Sequence, residues 1–221
     1  MIENEPGTTV FLVDDEPEIL KALSRALRAA GWRVETFASA EDFLERHDRG
    51  KDGCLVLDVT MPGLDGLGLQ RHLSEIGNSL PIVFLTGHGD IPMSVRALKA
   101  GAADFLTKPV PARALIAAVR AAIEQDSRAR RSRSATAALR QRLATLTPRE
   151  REVLAALAVG KLNKQIAGDL GVVEQTVKFH RARIMERMQA KTVAELMRIA
   201  TLLDIGPPSN PPPSPGADGN R

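Results

Sequence analysis

Along the first half of the chain, short apolar runs alternate with longer stretches in which apolar residues recur every three or four positions. The runs predict strands at 10–13, 34–37, 54–57, 82–85 and 104–106, and the longer stretches predict helices at 18–29, 40–46, 66–75, 92–100 and 112–123. Alternation of this kind is the sign of βαβ units around a parallel sheet. The expected fold is therefore α/β, a flavodoxin-like five-stranded doubly wound domain over residues 1–124. The last of these helices meets no Gly or Pro before Pro148. Residues 125–146 accordingly read as a basic linker, at least partly helical, and whether it continues that helix is left open by the sequence.

Beyond Thr147 the period is helical throughout, with helices expected at 148–159, 163–170, 174–188 and 192–203. Thr147, Pro148 and Glu150 supply an N-cap, a first-turn proline and a first-turn acid. Residues 147–205 are thus expected to form a small all-α four-helix domain. The Pro-rich end, 206–221, cannot bury a core and reads as a disordered tail.

Composition narrows the classes. The 221 residues are 43% hydrophobic and 26% charged, and no stretch approaches the roughly 20 continuous apolar residues of a membrane span. The first residues lack a basic, then apolar, leader pattern, and a lone Cys54 excludes a disulfide framework or a multi-cysteine zinc site. A cytoplasmic location without membrane partners is expected. The net charge of +3 conceals two opposed halves: residues 1–124 carry 13 Lys+Arg against 18 Asp+Glu, and residues 125–221 carry 17 against 9. The second half, at +8, suits a polyanion, although a solvated basic face would look the same by charge alone.

In a doubly wound sheet, ligands sit beyond the carboxyl ends of the strands. The first strand delivers Asp14 and Asp15, the third Asp58, the fourth Thr86 and the fifth Lys108. Three carboxylates in one pocket repel, and a hard cation such as Mg²⁺, which prefers oxygen ligands, resolves the repulsion. That set suits phosphoryl transfer to a carboxylate, with Asp58 as nucleophile, Asp15 and Asp58 on the metal, and Thr86 and Lys108 on phosphoryl oxygens. Taken singly, each residue also has a dull reading as a cap, a turn or a surface group. Gly63, Gly66 and Gly68 are too irregular for a dinucleotide fingerprint. His47, His72 and His88 lack ligand spacing and read as surface residues.

The segments FLVDDEPEI, LVLDVTMPGLDGLGL and PIVFLTGHGDIPMSVRALKAGAADFLTKP closely resemble the receiver domain of two-component response regulators, over about residues 8–124. The resemblance implies that Asp58 is the phosphoacceptor, Asp14 and Asp15 the acidic Mg²⁺ pair, and Thr86 and Phe105 the switch hydroxyl and aromatic. It also implies that Lys108 binds the phosphoryl group and that the Thr60 backbone carbonyl completes the metal's protein ligands. Read by itself, Phe105 is equally a core aromatic. Ile91, Val95 and Lys99 lie at helical spacing and are the candidate dimer face, a core face being the other reading of the apolar two.

In the basic half, NKQIAGDLGVVEQTVKFHRARIMERM supplies a scaffold helix, a turn near Gly171 and a second helix from about Glu174, the order of a helix-turn-helix. On a wheel of about 100° per residue, Ile184 and Met188 each fall within about 20° of Val177, and the three form the buried stripe. Gln175, Lys178, Phe179, Ala182 and Arg183 then face outward toward a major groove, while Lys164, Thr176, Arg181 and Lys191 suit phosphate contacts. His180 falls toward the buried edge. The stretch from LTPRE to IMERM closely resembles the LuxR-type DNA-binding domain, over about 146–203. Receiver plus this domain is the plan of the FixJ/NarL class, with the receiver wording nearest the FixJ branch. Ala182 stands where many relatives place a base-contacting cation.

The resemblance implies a non-enzymatic transcriptional regulator whose partners are a sensor histidine kinase, double-stranded DNA, a second copy of the chain when phosphorylated, and RNA polymerase, with activation the expected outcome. An aspartate-nucleophile phosphatase uses similar ingredients, but such enzymes usually carry a second Asp two positions after the nucleophile, and here Asp58 is followed by Val59 and Thr60.

Overall fold

The computed structural model describes residues 8–48, 50–87 and 91–206, with the side chains of 91–94 excepted. Met1–Ala129 and Arg130–Arg221 form two compact units.

In the first unit the strands are β1 (Thr9–Val13), β2 (Arg33–Phe37), β3 (Gly53–Asp58), β4 (Ile82–Thr86) and β5 (Asp104–Thr107). They pair in parallel in the order β2-β1-β3-β4-β5. The helices are α1 (Pro17–Ala29), α2 (Ala40–Arg46), α3 (Gly66–Glu75), α4 (Ile91–Lys99) and α5 (Ala112–Ala144). The central strands β1, β3 and β4 are buried throughout because both faces are covered, and the alternation of side chains sorts them into two cores. Phe11, Val13, Leu55, Leu57 and Phe84 pack with residues of α2, α3 and α4, whereas Val10, Leu12, Val56, Val83 and Leu85 pack with residues of α1 and α5. Each strand enters a short loop at its carboxyl end, so one edge of the sheet collects the residues singled out above.

Helix α5 runs without a break through most of the expected linker. Its buried residues, Leu115, Ala118, Val119 and Ala122, all lie in its first third, and beyond them it is carried by the helix propensity of an Ala- and Arg-rich sequence and by pairs such as Glu124–Arg128.

The second unit contains α6 (Pro148–Ala158), α7 (Asn163–Leu170), α8 (Glu174–Met188) and α9 (Val193–Leu202). Thr147 and Glu150 close a reciprocal capping box at the start of α6. Gly171, at φ 64°, ends α7 in the left-handed conformation that a tight interhelical turn requires. Val153, Leu154, Ile166, Val177, Ile184, Met188 and Leu196 make one shared core.

Two sequence readings change. His47 is half-buried rather than a surface residue: its ring stacks on Phe43 and meets Phe11 edge-on, each at 4.5 Å, because α2 ends there against the aromatic cluster. His88 and residues 207–221 of the tail lie outside the described residues.

Candidate functional site

The pocket at the carboxyl edge of the sheet is built by the ends of β1, β3, β4 and β5. Asp14 follows β1, and Asp58 and Thr86 are the last residues of β3 and β4; they are 1%, 4% and 2% exposed. Such burial of two carboxylates demands a compensating cation. Lys108, which follows β5, supplies it: Nζ lies 2.8 Å from Asp14 Oδ2, 2.9 Å from Asp58 Oδ2 and 3.1 Å from Glu16 Oε1. Its backbone N–H donates to the Thr86 carbonyl at 2.6 Å, which ties the fifth strand's exit to the fourth's. Thr60 N–H donates to Asp58 Oδ1 at 3.2 Å and fixes the carboxylate's other edge.

Electrostatics follow from this geometry. Burial pushes the Asp14 carboxyl above its ordinary value despite the bonds from Lys108 and Glu16 N–H. Burial alone would depress the Lys108 ammonium, but its bonds to Asp14, Asp58 and Glu16 outweigh that and hold it well above the usual lysine value. The pocket is thus a charged cluster of three carboxylates and one ammonium.

Asp14, Glu16 and Asp58 bring oxygens within 4.8 Å of one another, a donor set fit for a hard divalent cation. Asp15, expected beside Asp14, is exposed and outside this group, in which Glu16 takes the third place. The cause is a tight turn: Glu16 N–H donates to Asp14 Oδ1 at 3.0 Å, which swings the long Glu16 side chain back toward Lys108. The DDE run carried the signal, but Glu16 reads equally as a helix-flanking acid, and indeed it is the N-cap position of α1.

Gly66 shows why α3 starts so close to the pocket. A Cβ there would lie 2.2 Å from the Asp58 carbonyl oxygen, so only glycine allows the helix to begin against the backbone of Asp58. Gly66 N–H donates to the Val59 carbonyl at 3.0 Å.

Phe105 is half-buried and packs on the core, its ring 6.2 Å from Phe84. Among the described side chains of α4, Ala97 is buried, whereas Val95 is 43% exposed and Lys99 is exposed, so Val95 is not a core position. Leu98, at 47% exposed, joins this face and was not singled out from the sequence. The Ile91 side chain lies outside the described residues. Gln70, a buried polar residue of α3, donates to the Ala97 and Ala100 carbonyls at 3.4 and 3.2 Å and holds the end of α4.

In the second unit, α8 presents the face expected of it. Val177, Ile184 and Met188 are fully buried, while Gln175, Lys178, Phe179, Ala182 and Arg183 are exposed. Lys164 and Lys191 are exposed, and Thr176, His180 and Arg181 are half-buried. Arg181 donates to Asn163 Oδ1 at 2.8 Å, bridging α8 to α7. The buried Glu150 carboxylate of α6 ties that helix's N-cap to α8. It accepts from Thr147 N–H at 2.8 Å and lies 3.3 Å from Arg187 of α8. Burial raises its pKa, but these bonds outweigh burial and hold it below the ordinary glutamate value.

A five-stranded parallel sheet with an acidic, lysine-bridged pocket, in one chain with a helix-turn-helix unit, is the layout of a DNA-binding response regulator. The comparisons agree. The model of the response regulator receiver domain matches residues 10–120, and that of the bacterial regulatory proteins of the luxR family matches 144–200. The response regulator protein TodT of Pseudomonas putida is 42% identical over 90% of this chain and 88% of its own. The transcriptional regulatory protein FixJ of Rhizobium meliloti is 41% identical over 90% of this chain and 98% of its own. The solved structure of the response regulator StyR covers 88% of this chain and 98% of its own, at 45% identity and a TM-score of 0.76. That of full-length FixJ from B. japonicum covers 89% and 97%, at 37% identity and a TM-score of 0.56. This chain belongs to the two-component response regulators that join a receiver to a LuxR-type DNA-binding domain, a family of transcription regulators rather than enzymes. Its receiver implies a histidine kinase partner and its second domain implies DNA. Receivers of this kind bind Mg²⁺ at the acidic pocket. Among the described residues no helix is long and apolar enough to cross a membrane.

Proposed function

We propose that Asp58 accepts the phosphoryl group of a sensor histidine kinase, that the phosphorylated chain dimerises, and that it activates transcription from paired DNA half-sites in the cytoplasm. The observation that carries this reading is the Lys108 ammonium held between buried Asp14 and Asp58. In the step, Asp58 Oδ attacks phosphorus, the bond from phosphorus to the kinase histidine nitrogen breaks, and the imidazole leaves with its electron pair. Lys108 is placed to follow the new phosphoryl oxygens without leaving Asp14. Mg²⁺ bound there would neutralise charge on the transferring group. Asp14 and Asp58 belong to both the expected and the observed acidic sets and are the ligands proposed first, with Asp15 or Glu16 and the Thr60 carbonyl beside them.

Thr86, at the end of β4, is the proposed switch hydroxyl, Phe105 the ring that responds, and Val95 and Lys99, with Ile91, the dimer face on α4. Gln175, Lys178, Phe179, Ala182 and Arg183 are proposed to face the major groove, and Lys164, Thr176, Arg181 and Lys191 the phosphates, with Arg181 acting from its bridge to Asn163. RNA polymerase is the proposed partner at the promoter.

The test is Asp58→Asn in the full chain, treated with acetyl phosphate and Mg²⁺. The variant is expected to melt as a folded protein yet take up no label, and to lose the phosphodonor-dependent gain in DNA binding. Labelling at the wild-type rate would overturn the assignment.

A further inference from the structure

Helix α8 carries four cations, and three of them are already engaged. Lys178 lies 3.3 Å from Glu174, Arg181 donates to Asn163, and Arg187 faces Glu150. Arg183 differs: among the described residues it makes no ion pair, and its guanidinium sits over the ring of Phe179, 5.4 Å from the centroid. Phe179 is 56% exposed, one turn before Arg183 on the outward face, with Ala182 beside both. An exposed phenylalanine on a basic helix gains nothing from water or from phosphates. What it offers is an apolar face, and here that face also restrains an arginine.

We infer that Phe179 and Arg183 act as one specificity-determining unit, which reads a T·A pair and a neighbouring G·C pair in each half-site. The inference rests on the proposed docking of α8 in the major groove and deepens it. A guanidinium held over a phenyl face meets no oxygen acceptor there, so its paired N–H donors stay available to a base edge. That fork matches guanine O6 and N7, the acceptor pair arginine reads bidentately, whereas the phenyl ring has no donor and its groove contact is the thymine methyl. Successive base pairs lie about 3.4 Å apart along the axis, so groups 5.4 Å apart, between one and two such steps, reach neighbouring pairs rather than the same one. Ala182, which has no polar group, leaves the hydrogen-bonding edges in this part of the groove to the pair. The ring also limits the arginine's rotamers before binding, so less freedom is lost when the fork engages.

The experiment is selection of binding sites from random duplexes by the full-length, acetyl phosphate-treated chain and by Phe179→Ala and Arg183→Gln. The wild type should select half-sites in which T·A adjoins G·C. Arg183→Gln should lose preference for the guanine by about tenfold or more. Phe179→Ala should relax the thymine and also weaken the guanine preference, because it removes the arginine's support. Wild-type half-sites without the adjacent pair, or variants with unchanged preferences, would overturn the inference while leaving DNA recognition intact. So would an Arg183→Gln effect that is uniform across sequences and lowers the salt slope by about one, the mark of a phosphate contact. No sequence selection by the wild type would instead sink the α8 docking on which the inference depends.

Discussion

Replacing Lys108 by Met keeps the aliphatic stem and removes the charge, which should make the receiver's stability depend on a divalent cation. The magnitude follows from the pocket. Asp14 and Asp58 are buried, so their pairs with Lys108 count, whereas the Glu16 side chain is 60% exposed and its pair contributes little. Without the ammonium, carboxylate oxygens within 4.8 Å of one another repel by about 3.5 kcal/mol at an effective dielectric constant near 20. Breaking a buried pair costs about 3 to 5 kcal/mol by independent precedent. Because the pocket opens to water at the sheet edge, the lower end applies, and about 3 kcal/mol corresponds to a fall of roughly 10 °C in Tm for a unit of this size. Thermal melts in chelator and in Mg²⁺ provide the assay. Free Mg²⁺ at about a hundred times its Kd restores about 2.7 kcal/mol, so the variant should regain most of its loss, and more than the wild type gains. The deficit should also shrink at acid pH, since burial already favours a protonated Asp14. A variant within about 1 kcal/mol of wild type in chelator, or an equal Mg²⁺ effect on both, would refute the reasoning.

Two further outcomes concern the second unit. Glu150→Gln should cost about 1 to 2 kcal/mol at neutral pH by weakening charge-assisted bonds to Thr147 and Arg187. Because the folded carboxyl titrates below its ordinary value near 4.3, that contribution is present above this pH and is lost as pH falls through the folded pKa. Wild type and variant should therefore converge in acid, and denaturant unfolding at several pH values checks it; a gap independent of pH would contradict it. Ile184→Ala, at a fully buried position, should cost about 2 to 5 kcal/mol and abolish DNA binding by loosening α8, read by circular dichroism alongside a binding assay.

Much of this organisation was legible before any coordinates. Strands and helices show in the hydrophobic period because burial on two faces or on one stripe constrains every residue of an element. The helices at Ala40–Arg46, Gly66–Glu75, Asn163–Leu170 and Glu174–Met188 have the bounds their pattern predicts. The buried stripe Val177, Ile184 and Met188 follows from angular spacing alone. Helix α5 passes through the expected linker because nothing in its composition stops a helix.

Other features depend on atoms distant in sequence. The third acid of the pocket is Glu16 and not Asp15, which was decided by a turn at Asp14 and by a lysine 92 residues away. His47 is half-buried because α2 ends over Phe11, and Arg181 is bridged to Asn163 because α7 packs on α8 there. The sequence by itself determined which residue types stand at the strand ends, which helix faces are apolar, and how charge divides between the halves, because periodicity and composition are local. Only the tertiary structure decided which carboxylates share one ammonium, which cations on α8 are already engaged, and that Arg183 rests on Phe179, because pairing depends on distances that the order of residues along the chain does not contain.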